Sequence, residues 1–195
     1  MRAESGPRVF SQTNDAVANA LLDLIAKLIP PGQQLLIDAY CGAGFFAKAL
    51  LEKFERVLGI DWDRFAIDAA RQTATPKETY VAGDIDAELR KVGAVHLNRP
   101  PRGNNVGDGR LGSIAPTLTL IVDPPATGLT ARAREAIVDL APATFIYVSC
   151  NPATLARDLK ELGEKFKIES VTPLDMFPQT AEIEAVVHLR LSPSL

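Results

Sequence analysis

The chain has 195 residues and a formal net charge of −3, from 21 basic and 24 acidic side chains. Its 47% hydrophobic and 23% charged residues are typical of one folded globular domain and exclude a disordered or fibrous chain. The longest apolar runs are much shorter than the roughly 20 residues of a membrane span, and the first residues lack a signal-peptide core. We therefore expect a single domain over residues 1–195, located in the cytoplasm, with no membrane partner.

Short apolar runs alternate with helical periodicity through the first half of the chain. In chain order, the pattern predicts a helix from Asn14 to the break at Pro30-Pro31-Gly32, a strand over residues 35–38, a glycine-bearing turn, a helix over 46–54, a strand over 56–60 and a helix over 64–72. The same strand–helix unit then recurs, since a strand over 79–82 precedes a short helix that ends near residue 90.

The second half resumes this alternation after residues 98–116, a stretch that is rich in Gly, Pro, Arg and Asn and that we expect to be a loop. The predicted elements are strands over residues 118–122, 144–148, 166–171 and 183–191, with helices over 131–140 and from 152 to about 162. Alternating strands and helices with nearly all-apolar strand runs indicate an α/β fold, a doubly wound and mostly parallel seven-stranded sheet covered on both faces.

Polar side chains end five of the predicted strands, and they are the candidates for function. They are Asp38, Asp61, Asp84, Asp123 and Cys150. Ligands of doubly wound sheets bind beyond the carboxyl ends of the strands. We therefore expect all five to line one crevice.

The turn after the first strand indicates a nucleoside ligand. Gly42 and Gly44 allow close approach of the backbone, and Asp61 follows roughly 20 residues later, where an acid can bind both hydroxyls of a ribose. Ala47 stands where a dinucleotide fingerprint has its third glycine, and the P-loop pattern is absent. Asp38 suits a cation, which favours S-adenosylmethionine, with its ammonium and sulfonium groups. The alternative is a plain tight turn at the two glycines and a helix-capping role for Asp61.

The fourth and fifth strands carry the candidate chemistry. Asp123-Pro124-Pro125 resembles the signature of methyltransferases that act on planar nitrogen groups, but Ala126 replaces the aromatic residue that stacks on their target. Cys150 precedes a predicted helix, where the macrodipole favours a thiolate nucleophile. The alternative for Cys150 is a small buried apolar residue.

Seven stretches, in order, are similar to the catalytic domain of the uracil-carbon-5 RNA methyltransferases, which form 5-methyluridine in transfer and ribosomal RNA. They are Phe10-Ser11-Gln12-Thr13-Asn14, Asp38-Ala39-Tyr40-Cys41-Gly42-Ala43-Gly44, Gly59-Ile60-Asp61, Gly83-Asp84, Asp123-Pro124-Pro125, Ser149-Cys150-Asn151-Pro152-Ala153-Thr154 and Asp175-Met176-Phe177-Pro178-Gln179-Thr180, with Glu184 beyond.

The resemblance implies a class I S-adenosylmethionine-dependent methyltransferase fold of Rossmann-like type, with no metal. It implies that Cys150 adds to carbon 6 of uracil, carbon 5 takes the methyl group, and Glu184 removes the proton from carbon 5. The argument from charge above adds Asp38 to the cofactor contacts that the resemblance implies. The full set of expected contacts is Gln12, Asp38, Tyr40, Gly42, Gly44, Phe45, Asp61, Asp84 and Asp123.

The chain departs from the family pattern on the substrate side. Ala126 stands where the family usually has Arg, and Glu182 where it usually has His. A like charge at Glu182 is expected to raise the pKa of Glu184. The family's N-terminal OB-fold, which supplies the RNA-binding groove, is not expected within these 195 residues.

Without that domain, RNA binding by this chain alone should be weak, with a separate RNA-binding domain or partner supplying the affinity. The local cluster of Arg99, Arg102 and Arg110 is more simply read as solvated loop charge. Two other functions stay open: a cofactor-binding module without catalysis of its own, and a methyltransferase acting on another RNA position or a small molecule.

Overall fold

A computed structural model of the chain describes residues 15–97, 117–175 and 183–192. Seven strands and six α-helices alternate along these residues. The elements are α1 (Asp15–Leu28), β1 (Gln33–Ala39), α2 (Phe45–Ala49), β2 (Phe54–Asp61), α3 (Arg64–Gln72), β3 (Glu78–Ala82), α4 (Ile85–Leu97), β4 (Leu118–Val122), α5 (Ala131–Leu140), β5 (Thr144–Ser149), α6 (Pro152–Leu162), β6 (Phe166–Asp175) and β7 (Ile183–Leu191).

The strands form one sheet in the order β3-β2-β1-β4-β5-β7-β6. The first five of these positions are joined by parallel pairs, while β7 runs antiparallel to both β5 and β6. The predicted fold class, a doubly wound and mostly parallel seven-stranded sheet, is therefore confirmed. Parallel strands need crossover connections, and the helices between them supply these.

Helices cover the sheet on both faces and divide the core into two clusters. One cluster packs α4, α5 and α6 on one face, through residues such as Leu89, Ile137 and Leu155. The other packs α1, α2 and α3 on the opposite face, through residues such as Ile25 and Phe46. A strand that is covered on both faces consists almost entirely of apolar residues. The strand β4 is of this kind, because all five of its residues are buried.

Five helices and strands have the predicted bounds, namely α3, β4, α5, α6 and β7, and three differ enough to be corrected. The second helix ends at Ala49, a 3-10 turn covers Leu51–Lys53, and Phe54 already belongs to β2. The helix expected to end near residue 90 continues to Leu97. The strand expected to end at residue 171 continues to Asp175.

The loop predicted over residues 98–116, with its three arginines, lies outside the described residues. Within the part of the chain that is described, no helix combines the length and the apolar character needed to cross a membrane.

Candidate active site

The carboxyl ends of the five parallel strands share one edge of the sheet. The strand β1 pairs with β2 on one side and with β4 on the other, so the winding of the chain reverses there. Such a switch point opens the crevice in which doubly wound proteins bind ligands. Asp38, Asp61 and Asp123 lie at its centre, with Asp84 and Cys150 on either flank.

The turn between β1 and α2 has backbone conformations that few side chains adopt. Gly42 and Gly44 have φ values of 53° and 89°, and the non-glycine residue Tyr40 has a φ of 65°. A Cβ at Gly44 would lie 2.7 Å from the hydroxyl oxygen of Tyr80, whereas a Cβ at Gly42 would meet nothing within 4 Å. Gly44 is thus required by packing inside the protein, while Gly42 leaves open space for a ligand.

Asp61 holds this turn in place. Its Oδ2 accepts a hydrogen bond from the Gly42 N–H at 2.8 Å, and its Oδ1 accepts one from the Asp63 N–H at 2.8 Å. The capping role offered as an alternative for Asp61 is wrong, because Asp63 caps α3 by accepting from the N–H groups of Phe65 and Ala66. A carboxylate fixed by two backbone amides is pre-oriented and retains lone pairs for a ribose hydroxyl.

Asp38 is fully buried at the end of β1. Its Oδ2 accepts a hydrogen bond from the Ala47 N–H at 2.9 Å, while its Oδ1 has no hydrogen-bond partner among the described residues. Burial, followed by the charges of Asp123 and Asp61, raises the pKa of Asp38 to about 8 although the Ala47 amide opposes the shift. Asp38 is therefore largely protonated at neutral pH until a cation approaches.

The other predicted cofactor residues have different surroundings. Asp84 is exposed, and its Oδ1 accepts from the Ala87 N–H at 3.0 Å, at the start of α4. Tyr40 is half-buried, and burial, aided by nearby acidic side chains, raises its pKa to about 12. Phe45 stands edge-on to Phe46, with ring centroids 5.0 Å apart. Gln12 lies outside the described residues.

Asp123, just after β4, lies close enough to Glu184, in β7, for the two carboxylates to interact by charge. Part of Asp123 is open to solvent, yet the protein surrounds the rest, and this burial together with the charge of Glu184 raises the pKa of Asp123 to about 7. Glu184 is half-buried, its Oε2 has no hydrogen-bond partner among the described residues, and burial raises its pKa. The alternative of an exposed surface carboxylate for Glu184 is therefore wrong.

The effect expected from Glu182 on Glu184 stays a prediction, because Glu182 lies outside the described residues.

The antiparallel pairing of β5 with β7 brings Cys150 near Glu184. Ser149 pairs with Ala185, so Cys150 and Glu184 each lie one residue beyond that pair, at the same end of the sheet. Cys150 is exposed, which contradicts the alternative of a small buried residue. Cys41 is buried in the glycine turn, and burial raises the pKa of its thiol, as suits a packing residue.

Three residues of the site escaped the sequence argument. Trp62 directly follows Asp61 and is 72% exposed, so an aromatic face stands beside the proposed ribose position. Asn151 caps α6 and bonds across to the loop after β4, and the fully buried Asp158 receives donors from that loop and three other elements. Local signals existed for two of them, because Trp62 directly follows Asp61 and Asn151 is a preferred helix cap directly before Pro152, whereas nothing local marks Asp158.

The fold is that of the class I S-adenosylmethionine-dependent methyltransferases. The N-methyltransferase NodS from Bradyrhizobium japonicum WM9 superposes with a TM-score of 0.64 and 16% identity, over 92% of this chain and 99% of that chain. A likeness at this identity shows the fold.

The chain belongs to the tRNA (uracil-5-)-methyltransferase family, whose sequence profile matches residues 2–192. An uncharacterized RNA methyltransferase from Bacillus cereus is 39% identical over 188 residues, covering 94% of this chain and 38% of the relative. The relative from Lactococcus lactis is 35% identical over 187 residues, covering 95% of this chain and 34% of the relative.

A solved structure, the tRNA (uracil-54, C5)-methyltransferase of Pyrococcus abyssi in complex with S-adenosyl-L-homocysteine, is 31% identical with a TM-score of 0.67. The superposition covers 94% of this chain and 40% of that chain. The chain thus spans only about a third to two-fifths of the length of these relatives.

Proposed function

We propose that this chain is the catalytic unit of an S-adenosylmethionine-dependent RNA methyltransferase that forms 5-methyluridine. The observation that carries the proposal is the placement of Cys150 and Glu184 at the same end of paired strands, next to a crevice lined by acidic side chains. Membership of the family supports the reaction class.

The residues present fit the cofactor. The buried Oδ1 of Asp38 lacks a partner among the described residues, so it can accept a hydrogen bond from a ligand. Gly42 leaves room for the ligand where any side chain would intrude, and Asp61 is oriented for ribose hydroxyls. S-adenosylmethionine, when bound, supplies an electrophilic methyl group, and its positive charge complements this acidic crevice. The exposed ring of Trp62, the residue after Asp61, would stack on the adenine.

Cys150 and Glu184 carry the chemistry. The Cys150 thiolate adds to carbon 6 of uracil and forms an S–C6 bond, which makes carbon 5 an enolate-like nucleophile able to take the methyl group. Glu184 then accepts the proton from carbon 5, the C5–C6 double bond re-forms, and the thiolate leaves carbon 6. Burial raises the pKa of Glu184 towards neutral pH, which suits a group that must take a proton and release it again.

RNA binding is not favoured by the net charge of this chain. A net charge of −3 opposes phosphate binding, so the proposal includes weak RNA affinity of residues 1–195 and an RNA-binding domain or partner elsewhere. The cytoplasmic location expected from the sequence belongs to the proposal as well.

The test incubates the protein with tritiated S-adenosylmethionine and transfer RNA that lacks 5-methyluridine, at low salt. We expect 5-methyluridine from the wild type and none from Cys150→Ala. Glu184→Gln should form the methylated Cys150–RNA adduct but release it on the order of 100-fold more slowly or worse, because the base is missing. Both variants should bind the cofactor with unchanged affinity, followed through Trp62 fluorescence.

Product formation by Cys150→Ala would contradict the proposed nucleophile. Tight cofactor binding without any adduct on 5-fluorouridine RNA, whose carbon 5 holds fluorine in place of the removable proton, would instead support a cofactor-binding module without catalysis.

A further inference from the structure

We infer that Asn151 is a positioning residue that joins the loop after β4 to the turn carrying Cys150, so that the two walls of the uracil site keep a constant separation. This inference rests on the proposed function. It concerns the loop over residues 123–130, called here the β4 loop, and the first turn of α6.

The Asn151 side chain uses both ends of its amide. Its Oδ1 accepts hydrogen bonds from the N–H groups of Ala153 and Thr154, at 3.0 and 3.3 Å, and so caps α6. Its Nδ2 donates to the carbonyl oxygen of Ala126 at 3.1 Å. The Thr154 hydroxyl donates to the same carbonyl at 3.0 Å. The middle of the β4 loop is thus held on the helix that starts directly after Cys150.

The far end of the β4 loop is anchored on the same helix by Asp158. This carboxylate is fully buried, and its Oδ2 accepts from the Leu129 N–H at 2.8 Å and from the Tyr147 hydroxyl at 2.7 Å. Its Oδ1 accepts from Arg134 and Arg157, at 2.8 Å each. Buried charges are stable only when paired and hydrogen-bonded in this way, so the anchor is rigid.

The geometry between these anchors leaves little freedom. Gly128 has a φ of 74°, and a Cβ there would lie 2.6 Å from the Asp158 carboxylate. The β4 loop is therefore pressed against α6 near Leu129 as well as at Ala126. Its backbone bonds do not depend on the side chain at position 126, so they persist although the family's usual Arg is replaced by Ala126.

Both walls matter to the same ring. Cys150 must reach carbon 6, while the carbon 5 side of the ring would face the methyl donor, for which Asp123 at the start of the β4 loop is a candidate contact. A misplacement of about 1 Å can cost on the order of 100-fold in rate. The hydrogen bond from the Asn151 side-chain amide to the Ala126 carbonyl oxygen joins the β4 loop directly to the residue after Cys150.

The test uses Asn151→Ser, which keeps a capping oxygen and removes the donor to Ala126. We expect the rate of adduct formation between Cys150 and 5-fluorouridine RNA to fall about 10- to 100-fold. Cofactor affinity should stay within about twofold, because the predicted cofactor residues lie outside the β4 loop except Asp123, and the Asp123 N–H is held by the Ala39 carbonyl oxygen at 3.4 Å. The rate at which iodoacetamide alkylates Cys150 should also stay within about twofold, since a small reagent does not need the β4 loop; Cys41 is buried and does not interfere.

Two further variants sharpen the result. Asn151→Asp keeps the cap but sets a carboxylate against the Ala126 carbonyl, so it should slow adduct formation without lowering the thermal midpoint. Thr154→Ser retains the second hydroxyl donor and should react at the wild-type rate.

A wild-type rate in Asn151→Ser and Asn151→Asp would overturn the inference. So would an equal fall in alkylation and adduct formation, because Asn151 would then act on the thiol itself. A loss of cofactor affinity in parallel with thermal stability would reduce Asn151 to a structural cap. If the wild type forms no adduct, the proposed function fails first and the inference with it.

Discussion

Two carboxylates at the switch point, the fully buried Asp38 and the more exposed Asp123, make the stability of the protein depend on pH. Asp38 and Asp123 have pKa values of about 8 and about 7, against a value near 3.8 in the unfolded chain. The folded state therefore binds more protons than the unfolded state between about pH 4 and pH 8. Stability from these groups is fully present below about pH 4 and is lost as the pH rises through 7 to 8.

Replacing Asp38 by Asn tests this linkage, because the amide mimics the protonated acid and can still accept from the Ala47 N–H. We expect the wild-type free energy of unfolding to fall from pH 5 to pH 8, and Asp38→Asn to show a clearly smaller fall. Denaturant unfolding at both pH values measures it. Glu164→Gln, at an exposed carboxylate, is the control that should follow the wild type. Equal slopes in Asp38→Asn and the wild type would contradict the burial argument.

At the scale of one element, the two glycines of the turn between β1 and α2 have different tasks. Gly44 is needed for packing, and Gly42 is expected to be needed for ligand binding. Gly44→Ala combines a left-handed backbone with a Cβ 2.7 Å from the Tyr80 hydroxyl oxygen. We expect it to lower the free energy of unfolding by about 2–4 kcal/mol. Gly42→Ala meets no protein atom, so backbone strain alone should lower it by about 1–2 kcal/mol.

Cofactor affinity should depend on Gly42, although Gly42→Ala affects the free energy of unfolding less than Gly44→Ala. Gly42→Ala, although better folded than Gly44→Ala, should weaken S-adenosylmethionine binding at least about 10-fold, because its methyl group enters the space left for the ligand. Calorimetric titration of the folded variant measures this. Unchanged affinity in Gly42→Ala would show that the ligand does not approach the open side of the turn.

Where pairing with a neighbouring strand decides the end of an element, the residues of that element alone do not predict it. Phe54 fits the end of an amphipathic helix equally well, and its pairing with Gln33 makes it the first residue of β2. The strand β6 continues through Pro173 because it is an edge strand, where a missing N–H costs no ladder bond on its open side. Helix α3, by contrast, carries its own cap at Asp63 and a breaker at Pro76, and its bounds were predictable.

For the whole molecule, the net charge of −3 opposes phosphate binding, and the proposed function therefore includes weak RNA binding by residues 1–195 alone. We expect methyl transfer to rise linearly with RNA concentration, without saturation, up to about 100 μM at physiological salt, the range of non-specific affinities. A titration of initial rate against RNA measures it, with Cys150→Ala as the binding control. Saturation in the low micromolar range would show that these residues hold a sufficient RNA-binding surface of their own.

The sequence by itself determined the alternation of strands and helices, the convergence of five polar strand ends on one edge, and the family. These follow from local periodicity, from the parallel order it implies and from motifs, all of which are written in neighbouring residues.

Only the tertiary structure decided how the site residues are placed and charged. The burial of Asp38, the effect of the Glu184 charge on the pKa of Asp123, and the hydrogen bond from Asn151 to Ala126, 25 residues away in the chain, all depend on contacts between distant segments. Burial and hydrogen-bond partners depend on the packing of the whole chain, and the pKa values and orientations of these groups depend on burial and partners in turn.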